Sequence, residues 1–424
     1  MNFDVATVTD YIRRRCGFHV ARCLALACAF AGVATGGCIT AVGSLGSAAD
    51  TTDEDPNDQI TDDIDKASEE PNDSFDEATP ALFVAGGVAH LAGVVSVVHD
   101  LDVFLLGALS PGDRLTVDAD TTGSSLDVMV GVFDAQHRLV AANDDRLFPD
   151  LDSYVELIVR HPGDSYYLVV TDSAFASIGR HTGSYSVDVT VEGGHEVPVP
   201  VEQLVMLDFD GGMVDSPVLG KTTIVPFDAA AIAPTYAGQT EALKEQIQAV
   251  FSQNFQRFNV AVRTTDSPPF PAGTEYSTVY FGGFSRDAFG QAENVDLYNA
   301  DFCDDAIIFT ESFSSDLFTF TPTIAELGVA IGNVAAHEAG HLLGLNHVND
   351  DRALMDDQSP ADVFITDQEF MEAALSSDLM AIGTQDAVLL LSETVGLSQQ
   401  GLLGRPGTLA STGHPSSRKY FSGR

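Results

Sequence analysis

The sequence predicts a multidomain protein in which an all-β sandwich is followed by an α+β domain. A chain of 424 residues is longer than one hydrophobic core usually organises, and its hydrophobic content of 45% is ample for globular packing. Residues 69–193 contain short alternating runs between turn clusters, whereas residues 201–397 mix strand-like and helix-like stretches. Chain length and the change of periodicity across the linker at residues 194–200 therefore predict the fold class together.

The sandwich at residues 69–193 is predicted from closely spaced strands with no helix between them, which is typical of antiparallel sheets. Turn clusters such as residues 110–113 (SPGD) and 161–164 (HPGD) separate these strands. The predicted strands are Val103–Leu109, Arg114–Val117, Val128–Phe133, Tyr154–Val159 and Tyr166–Val170.

The segment 201–397 predicts an α+β domain because its periodicity changes repeatedly between two and 3.6 residues. Leu243, Ile247 and Phe251 form part of an apolar stripe on a helix predicted over residues 237–255. The remaining predicted strands are Leu204–Phe209, Phe258–Thr265, Ser277–Phe281 and Asp304–Phe309, and the remaining predicted helices are Ile324–Leu343, Gln368–Leu375 and Gln385–Leu397.

Residues 1–37 are typical of a bacterial export signal. Three consecutive arginines precede the apolar run 23–33, which is too short for an ordinary membrane span. The sequence TGGC ending at Cys38 resembles a lipobox and implies lipidation of that cysteine, whereas cleavage near residues 47–49 (SAA) is the alternative. Both signals predict a mature protein outside the cytoplasm, either a cell-envelope lipoprotein or a secreted protein.

Residues 38–68 are predicted to be an acidic disordered tether, and residues 398–424 a disordered tail. The formal net charge of −42 excludes nucleic-acid binding, because phosphates require a basic surface. Membrane contact is therefore expected only through an N-terminal lipid anchor. Four of the five cysteines precede residue 39, so Cys303 is expected to be an inert thiol.

Residues 337–347 (HEAGHLLGLNH) carry the strongest functional pattern in the chain. Residues i and i+4 share one face of a helix, so His337 and His341 can bind one metal ion. Gly344 can take a positive φ and end the helix, which lets His347 return as a third ligand. Glu338 lies beside the open position as a general base. Three ligands and one open position predict a catalytic Zn²⁺ site.

This pattern resembles that of the metzincin zinc peptidases, in which a Met-turn follows the third histidine. Residues 353–356 (ALMD) resemble the Met-turn of the matrixins, which implies that Met355 lies beneath the metal ligands. Val348, directly after the third histidine, matches none of the usual subfamily residues, and Asp357 stands where some subfamilies have a tyrosine. The resemblance thus implies the general class and leaves the subfamily open.

The preceding segment resembles the bacterial pre-peptidase C-terminal (PPC) domain, which accompanies secreted peptidases. The matching motifs are residues 70–74 (EPNDS), 102–104 (DVF), 126–128 (LDV), 143–145 (NDD), 166–170 (YYLVV) and 183–187 (GSYSV). The carboxylates of Asp127, Asp134, Asp144 and Asp145 could gather around Ca²⁺, or could simply form turns.

Together these features predict a secreted or surface-anchored zinc-dependent endopeptidase. It would hydrolyse peptide bonds of protein or peptide substrates by a metal-activated water, with Glu338 as general base. One alternative is a non-catalytic or latent cell-surface binding lipoprotein that retains a zinc site. Another is a structural zinc site closed by Asp350 or Asp356.

Overall fold

The computed structural model describes residues 70–146, 150–216, 219–314 and 317–403. The predicted export signal, Cys38, the acidic tether and most of the tail lie outside the described residues. None of the helices in the described part of the chain is long and apolar enough to cross a membrane.

Residues 79–192 form two facing β-sheets. One sheet has the order β1-β3-β8-β5-β6 and the other β2-β9-β4-β7. The strands are β1 (Thr79–Pro80), β2 (Val88–Val95), β3 (Asp102–Leu109), β4 (Arg114–Asp120), β5 (Val128–Phe133), β6 (Leu139–Asn143), β7 (Tyr154–Ile158), β8 (Gly163–Asp172) and β9 (Gly183–Glu192). All pairs except β1 with β3 are antiparallel, and the five predicted strands are present among the nine.

Alternating side chains hold the two sheets together. Strand β4 buries Leu115, Val117 and Ala119 on one face, and these residues share a core with Phe104 and Leu168 of the opposite sheet. The sheet that contains β5 is buried on both faces, since all six residues of β5 are buried. Its outer face therefore packs against another part of the chain.

A third, mainly parallel sheet begins after residue 200, with the order β13-β10-β14-β16-β15. Its strands are β10 (Gln203–Asp208), β13 (Val260–Thr264), β14 (Ser277–Phe281), β15 (Gly290–Ala292) and β16 (Asp305–Ile308), and β11 (Gly212–Ser216) and β12 (Gly220–Ile224) form a separate hairpin. Only the edge strand β15 runs antiparallel within this sheet.

Helices cover this sheet through one apolar core. They are α1 (Ala229–Ile232), α2 (Thr240–Asn254) and α3 (Ile324–His341). The predicted stripe on α2 is buried there at Leu243, Ile247 and Phe251, together with Val279 of β14 and Ile331 of α3. Each strand and helix predicted for residues 204–343 is thus present within three residues at each end, whereas β11, β12, β15 and α1 were not predicted.

The chain after α3 departs from the prediction at two places. Residues 368–375, predicted to be helical, instead contain β17 (Glu372–Ala374), which pairs with β18 (Thr384–Asp386). The helical prediction is wrong there because Leu375 packs against the sandwich, and such a tertiary contact outweighs local propensity. Helix α4 (Ala387–Thr394) lies where a helix was predicted, and α5 (Gln399–Leu403) gives the start of the predicted disordered tail a helical structure.

Cys303 is a further correction. The structure has it disulfide-bonded, rather than as the inert thiol that the sequence predicted.

Candidate metal centre

Helix α3 carries the first two histidines and has a well-defined start. The Thr323 side chain accepts a hydrogen bond from the backbone N–H of Glu326, and the Glu326 carboxylate accepts one from the N–H of Thr323. This capping box satisfies two backbone donors that the helix itself leaves without partners. The helix then runs for 18 residues, almost entirely buried over its last three turns, and ends at His341.

The structure brings His337, His341 and His347 together. Their ligand atoms lie within 4.8 Å of one another. The Nε2 atom of His341 is 3.1 Å from Nε2 of His337 and 3.0 Å from Nε2 of His347. Three ring nitrogens thus converge on one point, as the spacing of the motif predicted.

Backbone carbonyls fix the orientation of two of these rings. Nδ1 of His337 donates to the carbonyl of Leu354 over 2.8 Å, and Nδ1 of His341 donates to the carbonyl of Leu345 over 2.7 Å. A proton on Nδ1 leaves the lone pair on Nε2 free for a metal ion. The carbonyls therefore select the tautomer that a metal ligand needs.

Burial keeps the three imidazoles neutral. It lowers the pKa of His337 to about 3, with a smaller contribution from the neighbouring His347. Burial also lowers the pKa of His341 well below the usual value and lowers that of His347, although Asp357 acts in the opposite direction on His347. Close-packed neutral imidazoles with converging lone pairs repel one another until a cation lies between them.

These residues fit a zinc ion. Zinc–nitrogen bonds of about 2.0–2.1 Å in a tetrahedron separate two ligand nitrogens by roughly 3.3 Å. The observed separations of 3.0 and 3.1 Å are close to that value. Three neutral imidazole donors also match the ligand preference of zinc rather than that of calcium.

Glu338 is buried beside the edge strand β15. Burial raises the pKa of its carboxyl to about 8, whereas a hydrogen bond from the backbone N–H of Ala292 lowers it. A divalent cation beside this carboxylate would lower the pKa further, because an opposite charge favours the ionised form. A Cβ atom at Gly290 would overlap the Glu338 carboxylate, so only glycine lets the strand approach this closely.

Gly290→Ala is therefore expected to lower peptide hydrolysis by about 10–100-fold by displacing Glu338, since small misplacements of catalytic groups have effects of this size. The measurement is kcat/KM on an unfolded protein substrate. Gln291→Ala, at the exposed neighbouring position of β15, is the control. Parent-like activity in Gly290→Ala would show that the glycine has no role in placing the carboxylate.

Gly344 ends the turn that follows α3. Its φ of +90° lies in the left-handed region, and its N–H donates to the carbonyl of His341. An added Cβ would lie 3.0 Å from the carbonyl oxygen of Asp296 and 3.1 Å from Cα of Leu297. The loop after β15 therefore packs directly on this turn, and both backbone conformation and space require glycine.

Gly344→Ala is expected to destabilise the protein, because alanine disfavours this backbone conformation and because its Cβ would overlap the loop after β15. The backbone conformation costs about 1–2 kcal/mol for a residue with a Cβ, and the overlap with the loop costs a further ~1–3 kcal/mol. Urea unfolding measures the free energy of unfolding. Gly238→Ala is the matched control, because Gly238 has a φ of +76° but no atom within 4 Å of an added Cβ. Equal losses in the two variants would contradict the packing contribution.

Met355 is buried beneath α3, with its Sδ atom 2.6 Å from where a Cβ at Gly340 would lie. Its carbonyl accepts a hydrogen bond from the N–H of Val348, which joins the turn to the stretch after His347. The Met355 sulfur therefore lies against the helix that carries His337 and His341.

Asp350 and Asp356, the residues considered as a fourth ligand, have other partners. The Asp350 carboxylate accepts two hydrogen bonds from the Arg352 guanidinium. Asp356 accepts backbone N–H bonds from Asp350 and Ser359. Neither belongs to the histidine group among the described residues, which leaves the structural-zinc alternative without its fourth ligand there.

Sequence reasoning missed Asp357 and Ser376 as neighbours of the third histidine. Oδ2 of Asp357 is 3.4 Å from Nδ1 of His347 and accepts a hydrogen bond from the Ser376 hydroxyl over 3.1 Å. The acidic residue after the Met-turn was a visible signal for Asp357, whereas nothing near Ser376 in the sequence connects it with the motif.

The four aspartates considered for calcium do not form one site. Asp134 is paired with Arg138 at 2.7 Å. Burial and the neighbouring Asp144 and Asp127 raise the pKa of Asp145 to about 6. Among the described residues, the two groups able to hold one ion are the three histidines and a trio of exposed or half-buried carboxylates, Glu70, Asp73 and Asp100. The four-aspartate calcium site therefore has no support.

Comparisons with known proteins agree with the histidine geometry. Residues 273–367 match the family model of the matrixins. A comparison with curated proteins gives no match.

Three solved structures are similar to parts of this chain at low sequence identity. Archaemetzincin from Methanopyrus kandleri is 14% identical over 40% of this chain and 89% of its own, with a TM-score of 0.23. A zinc-dependent peptidase from Methanocorpusculum labreanum is 13% identical over 44% and 99%, with a TM-score of 0.24. The pre-peptidase C-terminal domain of a Bacillus anthracis collagenase is 11% identical over 27% and 95%, with a TM-score of 0.20.

The range that matches the matrixin model contains the whole histidine motif and residues 353–356. Residues 273–367 of this chain are therefore similar to the matrixin family.

Proposed function

We propose that this protein is a zinc-dependent endopeptidase that acts outside the cytoplasm. The observation that supports it most strongly is the convergence of three imidazole nitrogens, with Nε2 of His341 3.1 and 3.0 Å from those of His337 and His347, together with the buried carboxyl of Glu338. His337, His341 and His347 would hold the ion. Bound zinc would supply a Lewis acid for the scissile carbonyl and acidify a water.

Glu338 would act as the general base and then as the general acid. It would accept one proton from the attacking water and deliver that proton to the amide nitrogen. A C–O bond forms at the carbonyl carbon and the C–N bond breaks, which releases a carboxylic acid and an amine. The hydrogen bond from Ala292 would keep the carboxylate aimed at the reacting atoms.

The substrate would lie extended along β15. This strand is the last one in its sheet, so one side is open to main-chain pairing with a peptide. Gly290–Ala292 also contacts Glu338, which brings a paired peptide close to the proposed base.

Export and anchoring belong to the same proposal. Residues 1–37 would direct export, and lipidation at Cys38 would attach the chain to the cell envelope through the acidic segment 38–68. Without lipidation the protein would be secreted. Residues 69–193 would form a PPC-like domain and residues 201–397 the peptidase domain.

A non-catalytic or latent binding lipoprotein is the second candidate, because a PPC-like domain could bind a ligand while the zinc site catalyses no reaction. The presence of Glu338 together with all three histidines favours the enzyme, since inactive peptidases commonly lose one of these groups.

The test measures the zinc content of the purified full chain and its cleavage of an unfolded protein, with the products identified by mass spectrometry. The peptidase proposal expects internal cleavages that a chelator stops and added zinc restores. A chain that holds one zinc per molecule and leaves the substrate intact would favour the binding lipoprotein.

A further inference from the structure

The third histidine is supported differently from the other two. His337 and His341 lie on α3, whereas His347 follows the turn at Gly344 and lies in an irregular stretch. Such a stretch has no hydrogen-bond ladder of its own, so other parts of the chain must fix its backbone. Several of those partners belong to one segment, residues 372–386, which consists of β17, β18 and their connection and is called the bracing hairpin below.

The bracing hairpin holds the backbone on both sides of the His347 ring. The buried side chain of Gln385 accepts the N–H of Asn346 over 2.7 Å and donates to the carbonyl of Asn346 over 2.8 Å. The N–H of Ser376 donates to the carbonyl of His347 over 3.1 Å. Three hydrogen bonds therefore fix two consecutive residues of the histidine stretch.

The hairpin also reaches the His347 ring. The Ser376 hydroxyl donates to Oδ2 of Asp357, and the same oxygen lies 3.4 Å from Nδ1 of His347. A carboxylate at Nδ1 orients a ligating imidazole and directs its Nε2 lone pair to the metal. The backbone of the third histidine thus contacts the bracing hairpin directly, and its ring is connected to the hairpin through Asp357.

The opposite side of the bracing hairpin rests on the sandwich. Leu375 and Met380 are buried in one apolar cluster with residues on the outer face of the β5-containing sheet, namely Val103, Met129, Phe133, Leu139 and Val169. An added Cβ at Gly131 of β5 would lie 2.9 Å from Sδ and Cε of Met380, so the glycine makes room for this side chain.

Polar contacts fix the register of the hairpin on the sandwich. The N–H of Thr384 donates to the carbonyl of His137 over 3.0 Å. The Arg138 guanidinium lies 3.6 Å from Oδ2 of Asp386. His137 and Arg138 lie directly before β6, and Arg138 forms an isolated β-bridge with Thr384. These polar contacts therefore add a fixed alignment to the apolar packing between hairpin and sandwich.

We propose that the β-sandwich positions the third metal ligand through the bracing hairpin. The sandwich holds Leu375 and Met380, the hairpin holds Ser376 and Gln385, and these residues hold His347. This inference rests on the proposed function, because it concerns the same metal centre. It assigns the accessory domain a positioning role in that centre.

The test places a charge between sandwich and hairpin. Met380→Asp puts an unpaired carboxylate against Phe133 and Met129, which should detach the hairpin. In the full chain, the zinc dissociation constant is expected to rise about 10–100-fold, as for other losses of ligand support. Competition with a chromophoric chelator measures it, and the absorption spectrum of bound Co²⁺ reports whether the ligand geometry has changed.

Val98→Asp is the matched control, because it adds the same charge to an exposed position of the sandwich and should leave zinc affinity unchanged. Met380→Ala is the milder second variant. It tests the positioning role if circular dichroism shows that Met380→Asp is unfolded. Ser376→Ala removes only the hydroxyl that holds Asp357, and it too should weaken zinc binding.

A folded Met380 variant with the zinc affinity and Co²⁺ spectrum of the parent overturns the positioning role. A parent chain that binds zinc but cleaves no peptide overturns the peptidase proposal alone, because the affinity comparison still decides the role of the hairpin. Weaker zinc binding in both Met380 variants, with unchanged zinc binding in the Val98→Asp control, supports the positioning role of the sandwich.

Discussion

Glu338→Gln is expected to lower kcat/KM for peptide hydrolysis by about 10²–10⁴-fold while zinc remains bound. Glutamine keeps the shape of the side chain, and its amide oxygen can still accept the N–H of Ala292. It cannot accept a proton from water at neutral pH. The variant therefore isolates proton transfer from metal binding, since the three histidines are unaltered.

Two measurements are needed for this variant. Zinc content by atomic absorption should equal that of the parent, and hydrolysis should fall to the chelator-treated level or near it. Glu245→Gln, an exposed position on α2, is the control for loss of one carboxylate. Full hydrolysis by Glu338→Gln would contradict the assignment of Glu338 as the base.

Zinc is expected to stabilise the folded protein, and His341→Ala should remove that effect. The ring nitrogens of the three histidines converge only in the folded chain, where a cation relieves their mutual repulsion. A ligand that binds only the folded state adds about 2.7 kcal/mol at a free concentration 100 times its Kd. The Tm of the chelator-treated chain should therefore rise on addition of zinc.

His341 is the best position for this substitution because its Nε2 lies within 3.1 Å of Nε2 of both other histidines. His195→Ala, in the linker, should retain the full zinc-dependent rise in Tm. A rise in Tm that persists in His341→Ala would place the zinc at another site.

The histidine centre could be predicted because its main information is local. Residues 337–347 carry three candidate ligands and the base within eleven positions, and helical geometry alone brings His337 and His341 to one face. The positive φ at Gly344 follows from the same local pattern. Strands such as Val128–Phe133 and Ser277–Phe281 were also predictable, because runs of β-branched and aromatic residues are typical of strands.

What escaped prediction depends on contacts between distant parts of the chain. Residues 368–375 have helical propensity, but Leu375 packs on sandwich residues more than 200 positions earlier. Ser376 and Gln385 acquire their contacts with the His347 stretch only through that packing. Gly290 likewise has no motif of its own and matters because its strand meets Glu338 in space.

The most direct test of the central claim is a zinc titration of the chelator-treated chain with hydrolysis followed at each step. The number of internal peptide bonds cleaved per minute should rise in proportion to added zinc and level off at one zinc per chain. That result would tie peptide hydrolysis to a single ion held by His337, His341 and His347. Stoichiometric zinc binding with no hydrolysis at any point, or hydrolysis independent of zinc, would contradict the account.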